Sequence, residues 1–213
     1  RKNIRDFFGK PVIAYSIQLA LDSGVFSKVF VSTDDEEIAD CARRHGASVD
    51  FMRSEEASSD VATTLTVLQE VLSRFEERGE FFDELLCLYP IAPLVTTSQI
   101  QQGLNALQEA EQSVVFPVVE YGHSIWRAFK MDGGRLVRIW PEHGETRTQD
   151  LPRAFHDAGQ WYWLRAVELN RIASLDELPF VPLVTPEHTV QDVDSEDDWK
   201  ILEMKHLLKM GNV

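Results

Sequence analysis

Lys28-Val29-Phe30-Val31-Ser32-Thr33-Asp34-Asp35-Glu36-Glu37-Ile38-Ala39-Asp40-Cys41-Ala42-Arg43-Arg44-His45-Gly46 reads as a strand followed at once by a helix. Lys28 to Ser32 is a short β-branched and aromatic run, the composition of a strand. Asp34 to Arg44 has acids in its first turn, Arg43 and Arg44 in its last, and Gly46 as a stop, which predicts a helix. The Ser, Thr and Asp side chains between them are suited to cap exposed amides, and such helix ends also bind polar ligands.

The flanking sequence continues the alternation. Pro11 to Leu21 carries apolar residues at helical spacing, with Gly24 after its end. Ser48 to Met52 predicts a short strand and Val61 to Glu77 a long amphipathic helix. Glu84 to Tyr89 is an apolar strand ending in the loop Pro90-Ile91-Ala92-Pro93. Thr97 to Glu111 predicts a helix and Ser113 to Val119 a strand. Strands alternating with helices predict an α/β fold, a mostly parallel sheet sandwiched by helices. Beyond this the pattern changes. Tyr121 to Pro152 offers short strand-like pieces and a Gly133-Gly134 turn, a β-rich insertion or arm. Ala158 to Leu164 is a strand rich in aromatics, and Leu183 to Val193 is irregular and then strand. Ser195, with Asp198 three residues on, comes close to a capping box for a last helix. Residues 1–213 are therefore expected to form a single domain, with 121–157 as the arm.

At 213 residues and 44% hydrophobic, the chain is long enough for one domain with a proper core. It has no apolar run long enough to span a bilayer and no secretory signal. A formal charge of -14 disfavours nucleic acid or an anionic membrane as main partner. Small anionic substrates remain open, because a local cluster of Arg and Lys overrides the mean charge. Cys41 and Cys87 share neither paired spacing nor a His grouping, so they read as buried structural thiols and the cytoplasm as the compartment.

Several polar sets are candidates for chemistry. In Thr189-Val190-Gln191-Asp192-Val193-Asp194, read as a short strand, side chains two apart point to one face. Asp192 and Asp194 then aim two hard oxygen ligands at one spot, as a Mg²⁺ ion carrying nucleotide phosphates requires. The alternative is that these acids only solvate a turn and cap a helix. Arg53, following a strand, is placed either to bind a phosphate or to pair with Glu55 and Glu56. Ser58, Ser59, Asp60, Thr63 and Thr64 gather more hydroxyls ahead of a helix than capping uses. Arg147, Gln149, His156, Asp157 and Gln160 lead into Trp161-Tyr162-Trp163, polar groups followed by an aromatic floor for a sugar ring, or for core packing. There is no Ser-His-Asp triad, zinc site, Gly-x-Gly-x-x-Gly or P-loop.

In order, the segments are Arg1-Lys2-Asn3 followed by Phe-Gly-Lys-Pro, Val31-Ser-Thr-Asp-Asp-Glu-Glu-Ile-Ala39, Tyr89-Pro-Ile-Ala-Pro-Leu94, Arg147-Thr-Gln-Asp-Leu151, His156-Asp-Ala-Gly-Gln-Trp-Tyr-Trp163 and Val190-Gln-Asp-Val-Asp194. Together they resemble the cytidylyltransferases that activate nine-carbon acidic sugars, the CMP-sialic acid synthetase group. The resemblance covers essentially the whole chain, and the His156 to Gln160 segment is most similar to the branch acting on pseudaminic acid.

The resemblance implies a nucleotide-diphospho-sugar transferase fold and transfer of CMP from CTP to the anomeric hydroxyl of the sugar acid, with release of pyrophosphate, for surface glycan or flagellin glycosylation. It implies Mg²⁺ held by Asp192 and Asp194, with Lys2 also catalytic, and CTP contacts from Arg1, Asn3, Arg53, Ser59, Thr63 and Thr64. Sugar contacts fall on Tyr89, Arg147, Gln149, His156, Gln160 and Tyr162, Tyr89 standing where sialic acid enzymes have a glutamine. It further implies a homodimer through the β-rich arm. The family opens with a central strand and a basic Gly-Ser-Lys loop, so about 15 to 20 residues are expected upstream of Arg1. Alternatives are a sialic or legionaminic acid enzyme, or a non-catalytic nucleotide-sugar binding protein on the same fold.

Overall fold

The computed structural model describes residues 2–59, 61–111 and 113–211. The chain opens with a hairpin of β1 (Asp6–Phe7) and β2 (Lys10–Pro11), then α1 (Ile13–Ser23), α2 (Glu36–Arg44), α3 (Thr64–Glu76), β3 (Glu84–Leu88), α4 (Thr97–Glu109) and β4 (Val114–Glu120). A second hairpin, β5 (Phe129–Asp132) and β6 (Arg135–Arg138), precedes β7 (Phe155–Asp157), β8 (Trp161–Arg165), α5 (Ala166–Leu169), β9 (Phe180–Val184) and α6 (Glu196–Lys209).

Local chemistry sets the helix starts. The Asp35 carboxylate accepts from the Glu37 and Ile38 amides at the head of α2. Thr63 caps α3, and Thr96 with Gln99 closes a capping box on α4. Ser195 and Asp198 close a full capping box on α6.

The main sheet is mixed. β8 lies antiparallel between β3 and β4, with Cys87 opposite Tyr162 and Val115 opposite Trp163. β7 continues the β8 side along the far half of β4, and β9 pairs with β4 in parallel on its other edge. β3, β4 and β9 therefore share one direction, and only β7 and β8 run against them. The crossover from β3 through α4 to β4 is the parallel unit the alternation implied, but it skips a place that β8 fills from the opposite direction. β9 falls earlier than the strand expected between Leu183 and Val193. Pro182 sits within it, tolerated because β9 is an edge strand.

Helices cover both faces. On one, Leu65, Leu68 and Leu72 of α3 pack on Val114, Phe116, Val118 and Leu164. On the other, Ile100 and Leu107 of α4 pack on Val115, Trp161 and Trp163. Alternation along β8 thus sends the two tryptophans to α4 and leaves Tyr162 on the α3 side.

Three strand expectations fail as ladders. Lys28 to Ser32 and Ser48 to Met52 meet only at a parallel bridge, Phe30 with Ser48. The first of these segments and β3 both line one cavity of about 650 Å³, where no described residue supplies a further ladder. Consistent with this, β3 is only half-buried although four of its five residues are Leu or Cys. Thr189 to Asp194 is not a sheet strand either. A 3-10 turn, Glu187–Thr189, leads into an extended segment that pairs with no strand. The arm does turn at Gly133-Gly134 between β5 and β6, but the rest of it is 3-10 turns and loop until β7, which joins the main sheet against β4. No helix among the described residues is long and apolar enough to cross a membrane.

Candidate functional site

The cavity beside β3 gathers Asn3, Arg53, Ser59, Thr63, Thr64 and Tyr89 along its lining. The Arg53 backbone N–H donates to the Thr33 carbonyl (2.9 Å), setting the residue beside the end of the Lys28–Ser32 segment. Its guanidinium donates to Ser32 Oγ at 3.0 Å and to the Ser32 carbonyl at 2.5 Å. Neither Glu55 nor Glu56 takes it, and Arg53 lines the cavity without a carboxylate partner among the described residues. Thr63 Oγ1 is committed to the Thr66 amide as a cap (3.2 Å), and Ser59 Oγ donates to the Glu56 carbonyl (2.9 Å). Thr64 Oγ1 lies 3.2 Å from the Tyr89 hydroxyl. Arg1 and Asp60, also named from the sequence, lie outside the described residues.

Thr64 also lines a second cavity of about 630 Å³, whose polar side is His156, Asp157 and Tyr162 and whose apolar wall includes Phe116, Val118, Pro182 and Val184. The Tyr162 hydroxyl donates to the Asp157 carboxylate, and the Tyr162 ring meets Tyr89 edge-on at 5.7 Å. Burial first, and then the Asp157 hydrogen bond, push the Tyr162 pKa far above that of an ordinary phenol. Burial also raises Tyr89. Both hydroxyls therefore stay protonated at neutral pH. His156 Nδ1 lies 2.8 Å from the Asp157 carbonyl, and its ring stands against Tyr121. Gln160, expected at the sugar, lines neither cavity: it is 1% exposed, and neither end of its side-chain amide has a partner among the described residues. Arg147 and Gln149 are not brought to either cavity. They are exposed on and beside the 3-10 turn Thr148–Asp150 of the arm.

The aspartate segment owes its shape to anchors other than a ladder. Val190 and Val193 are buried while Asp192 and Asp194 face solvent. The Lys205 ammonium, from α6, donates to the carbonyls of Glu187 (2.9 Å) and Val190 (2.7 Å) and to Gln191 Oε1 (3.0 Å). Lys2 Nζ donates to the Val193 carbonyl at 2.7 Å and stands 3.5 Å from Asp194 Oδ1. Asp192 Oδ1 accepts from the Val193 amide (2.8 Å). Among the described residues neither carboxylate is locked to a guanidinium. Asp198 Oδ2 accepts from the Ser195 hydroxyl and from the Ser195 and Asp194 amides, and these hydrogen bonds hold its carboxyl below the usual range. Among the described residues no group of three or more His, Cys, Asp or Glu is placed to hold a metal. Two solvent-exposed carboxylates fit Mg²⁺ nonetheless, since Mg²⁺ commonly takes one or two carboxylates and completes its shell with waters and phosphate oxygens.

Asp157 stood in the polar set read from sequence but not as a tether, and Gly159 and Lys205 were not singled out as site residues. The glycine between two strand signals was the one available cue. A lysine ten residues beyond Ser195 on a helix carries none, because only the fold brings its stem back to residues 187–191.

Residues 1–131 match the family model described as Cytidylyltransferase. The chain belongs to the cytidylyltransferase family. A cytidylyltransferase named for pseudaminic acid, from Campylobacter jejuni, is 34% identical over 203 residues, covering 93% of this chain and 86% of that protein. A CMP-N,N'-diacetyllegionaminic acid synthase from Legionella pneumophila is 36% identical over 204 residues, covering 95% and 88%. The solved structure of a CMP:2-keto-3-deoxy-manno-octonic acid synthetase complexed with CTP superposes with a TM-score of 0.69 over 99% of this chain and 92% of that one, at 16% identity. This cytidylyltransferase thus has the nucleotide-diphospho-sugar transferase fold that the sequence implied. The family match ends before His156, Asp192 and Asp194, which the full-length relatives nevertheless span.

Proposed function

We propose that this enzyme transfers CMP from CTP to the anomeric hydroxyl of pseudaminic acid and releases pyrophosphate, its product serving surface glycan or flagellin glycosylation. The observation that carries the reading is the 34% identity sustained over 93% of the chain to a relative named for that reaction. The geometry supports it. CTP fits the cavity lined by Asn3, Arg53, Ser59, Thr63 and Thr64, and the sugar fits the adjoining one beside His156, Asp157 and Tyr162, with Tyr89 on the wall of the first.

The anomeric oxygen attacks the α-phosphorus, and the bond to the pyrophosphate oxygen breaks. Arg53 and Lys2 place positive charge where the leaving group develops negative charge. Tyr89 and Tyr162, protonated throughout, serve as donors that orient the sugar rather than as bases. Asp192 or Asp194 accepts the proton lost by the attacking hydroxyl. Mg²⁺, held by Asp192 and Asp194 with phosphate and water oxygens, would lower that hydroxyl's pKa and offset charge at the α-phosphate. Arg147 and Gln149, remote from the cleft of their own chain, serve the site of a second copy, reached through the arm in a homodimer. The CTP requirement and the two free thiols accord with the cytoplasm.

Pyrophosphate release from CTP, measured with pseudaminic, legionaminic and N-acetylneuraminic acids, tests the reading. Pseudaminic acid should give the highest kcat/KM. A higher value with legionaminic acid would establish the second reading, which the 36% identity to a legionaminic acid synthase favours. No release with any of the three would leave a nucleotide-sugar binding protein.

A further inference from the structure

The turn His156-Asp157-Ala158-Gly159-Gln160 lies between the sugar-facing tyrosine and the carboxylate pair, and it touches both. Gly159 has φ +62°, in the left-handed region, and a Cβ built there stands 3.2 Å from both Cγ and Oδ2 of Asp192. Few real Cβ atoms tolerate that approach. Any other residue at this position would therefore push the carboxylate, and it would also carry a backbone conformation that favours glycine. A second contact joins the same two segments: Ala158 and Val190 are both buried and share a small apolar cluster with Val119. Asp157 fixes the turn from within. Its Oδ1 accepts from the Gly159 amide at 2.7 Å and its Oδ2 from the Tyr162 hydroxyl.

We propose that Gly159 is a positioning residue for Asp192, and that Asp157 holds the turn in the shape that makes this possible. Tyr162, the turn and the Asp192 carboxylate form one connected unit, with Gly159 the point of contact. This rests on the reading that Asp192 ligates a divalent cation. It adds that the ligand's placement is set by the turn as well as by its own segment. Groups that orient a metal ligand without touching the metal shift metal affinity when altered, by about 10- to 100-fold.

The test measures Mn²⁺ binding to the full chain by electron paramagnetic resonance, alone and with CTP, in the absence of sugar. Gly159→Ala and Gly159→Asn should each raise the Mn²⁺ Kd by about tenfold or more. Asn tolerates positive φ better than Ala, so Gly159→Asn should keep a thermal midpoint near that of the parent while still losing Mn²⁺ affinity. Asp157→Ala should weaken binding and Asp157→Asn restore it, since an amide oxygen still accepts from Gly159 N–H; a role of the charge alone predicts no rescue. These two variants leave the glycine in place and give a reading even if the Gly159 substitutions unfold the protein. In kinetics, the Gly159 variants should lower kcat at fixed Mg²⁺ with the KM for CTP little changed. Parent-like Mn²⁺ affinity in both Gly159 variants, or in Asp157→Ala, overturns the proposal while the cation reading stands. Asp192→Ala binding Mn²⁺ as tightly as the parent would remove the cation reading and this proposal together.

Discussion

Asp194 has the fewest competing duties of the acids at this site. Its side chain is 84% exposed, and its one ionic contact among the described residues is Lys2 at 3.5 Å. A surface contact of that length contributes little to stability. Asp194→Asn should therefore leave the fold intact and cost catalysis at least roughly a hundredfold in kcat, about 3 kcal/mol of transition-state stabilisation. Steady-state pyrophosphate release across Mg²⁺ concentrations checks this, and a near-normal rate at limiting Mg²⁺ would remove Asp194 from the metal pair. The paired acids were legible in sequence because alternation around Val193 holds even where no ladder forms: one valine inward places both carboxylates outward. Their supports were not legible. Lys205 reaches three oxygens on residues 187–191 across a contact that spacing along the chain does not encode. Arg53 was legible as a cation near a strand end, but its choice of Ser32 over two adjacent glutamates depended on tertiary placement.

At the scale of elements, α4 meets β8 at a glycine. A Cβ on Gly103 would fall 2.5 Å from Trp163 Cδ1 and 2.7 Å from Trp161 Cη2, on rings that are almost fully buried. Alanine improves helix propensity by about 1 kcal/mol over glycine. Overpacking against fixed rings costs about 1–3 kcal/mol, and two rings are struck here, so the clash should win. Gly103→Ala is expected to lower the denaturant midpoint with an unchanged m-value. A raised midpoint would mean that the helix shifts freely on the sheet.

Helix α6 carries a different liability. His206 is buried among the rings of Phe7, Phe8 and Tyr15, with Nδ1 unpartnered among the described residues. Burial, then Lys209 and Lys10, lower its pKa below 6.5. The unfolded chain therefore takes up this proton first as pH falls. The stability due to the neutral ring is complete above about 6.5 and is lost from there down through the folded value. The thermal midpoint should fall between pH 7.5 and pH 5.5, and it should fall less in His206→Phe; equal falls in the two proteins would exclude His206 as the source. The starts of α2, α4 and α6 were legible to within about two residues and that of α3 to within three, because caps are local chemistry: Asp35, Thr63, Thr96 and Ser195 each bond their own first turn, whereas the short α5 carried no such signal.

At the scale of the molecule, the alternation of elements was enough to establish an α/β sandwich but not which strand lies beside which. β8 enters between β3 and β4 from the opposite direction after a 34-residue excursion that begins after Glu120 and ends at Phe155 (residues 121–154), and no local pattern announces such a return. The excursion itself carries the largest feature unexplained within one chain. On the β5–β6 hairpin Met131 is 68% and Leu136 66% exposed, with Phe129 and Val137 also exposed. An isolated two-stranded hairpin is marginal in water, and contiguous exposed apolar surface marks an interface. Arg147 and Gln149, on the same arm, reach neither cavity of their own chain. A homodimer that buries the hairpin against a second copy accounts for both facts. Met131→Asp combined with Leu136→Asp should then convert a dimer into a monomer in sedimentation velocity, with the unfolding of the sheet domain otherwise unchanged. If Arg147 and Gln149 act across that interface, the monomer should show a raised KM for the sugar acid while nucleotide binding by the separated chain persists. A parent protein that sediments as a monomer at micromolar concentration, or a monomeric variant with an unaltered KM for the sugar, would confine the arm to some other role.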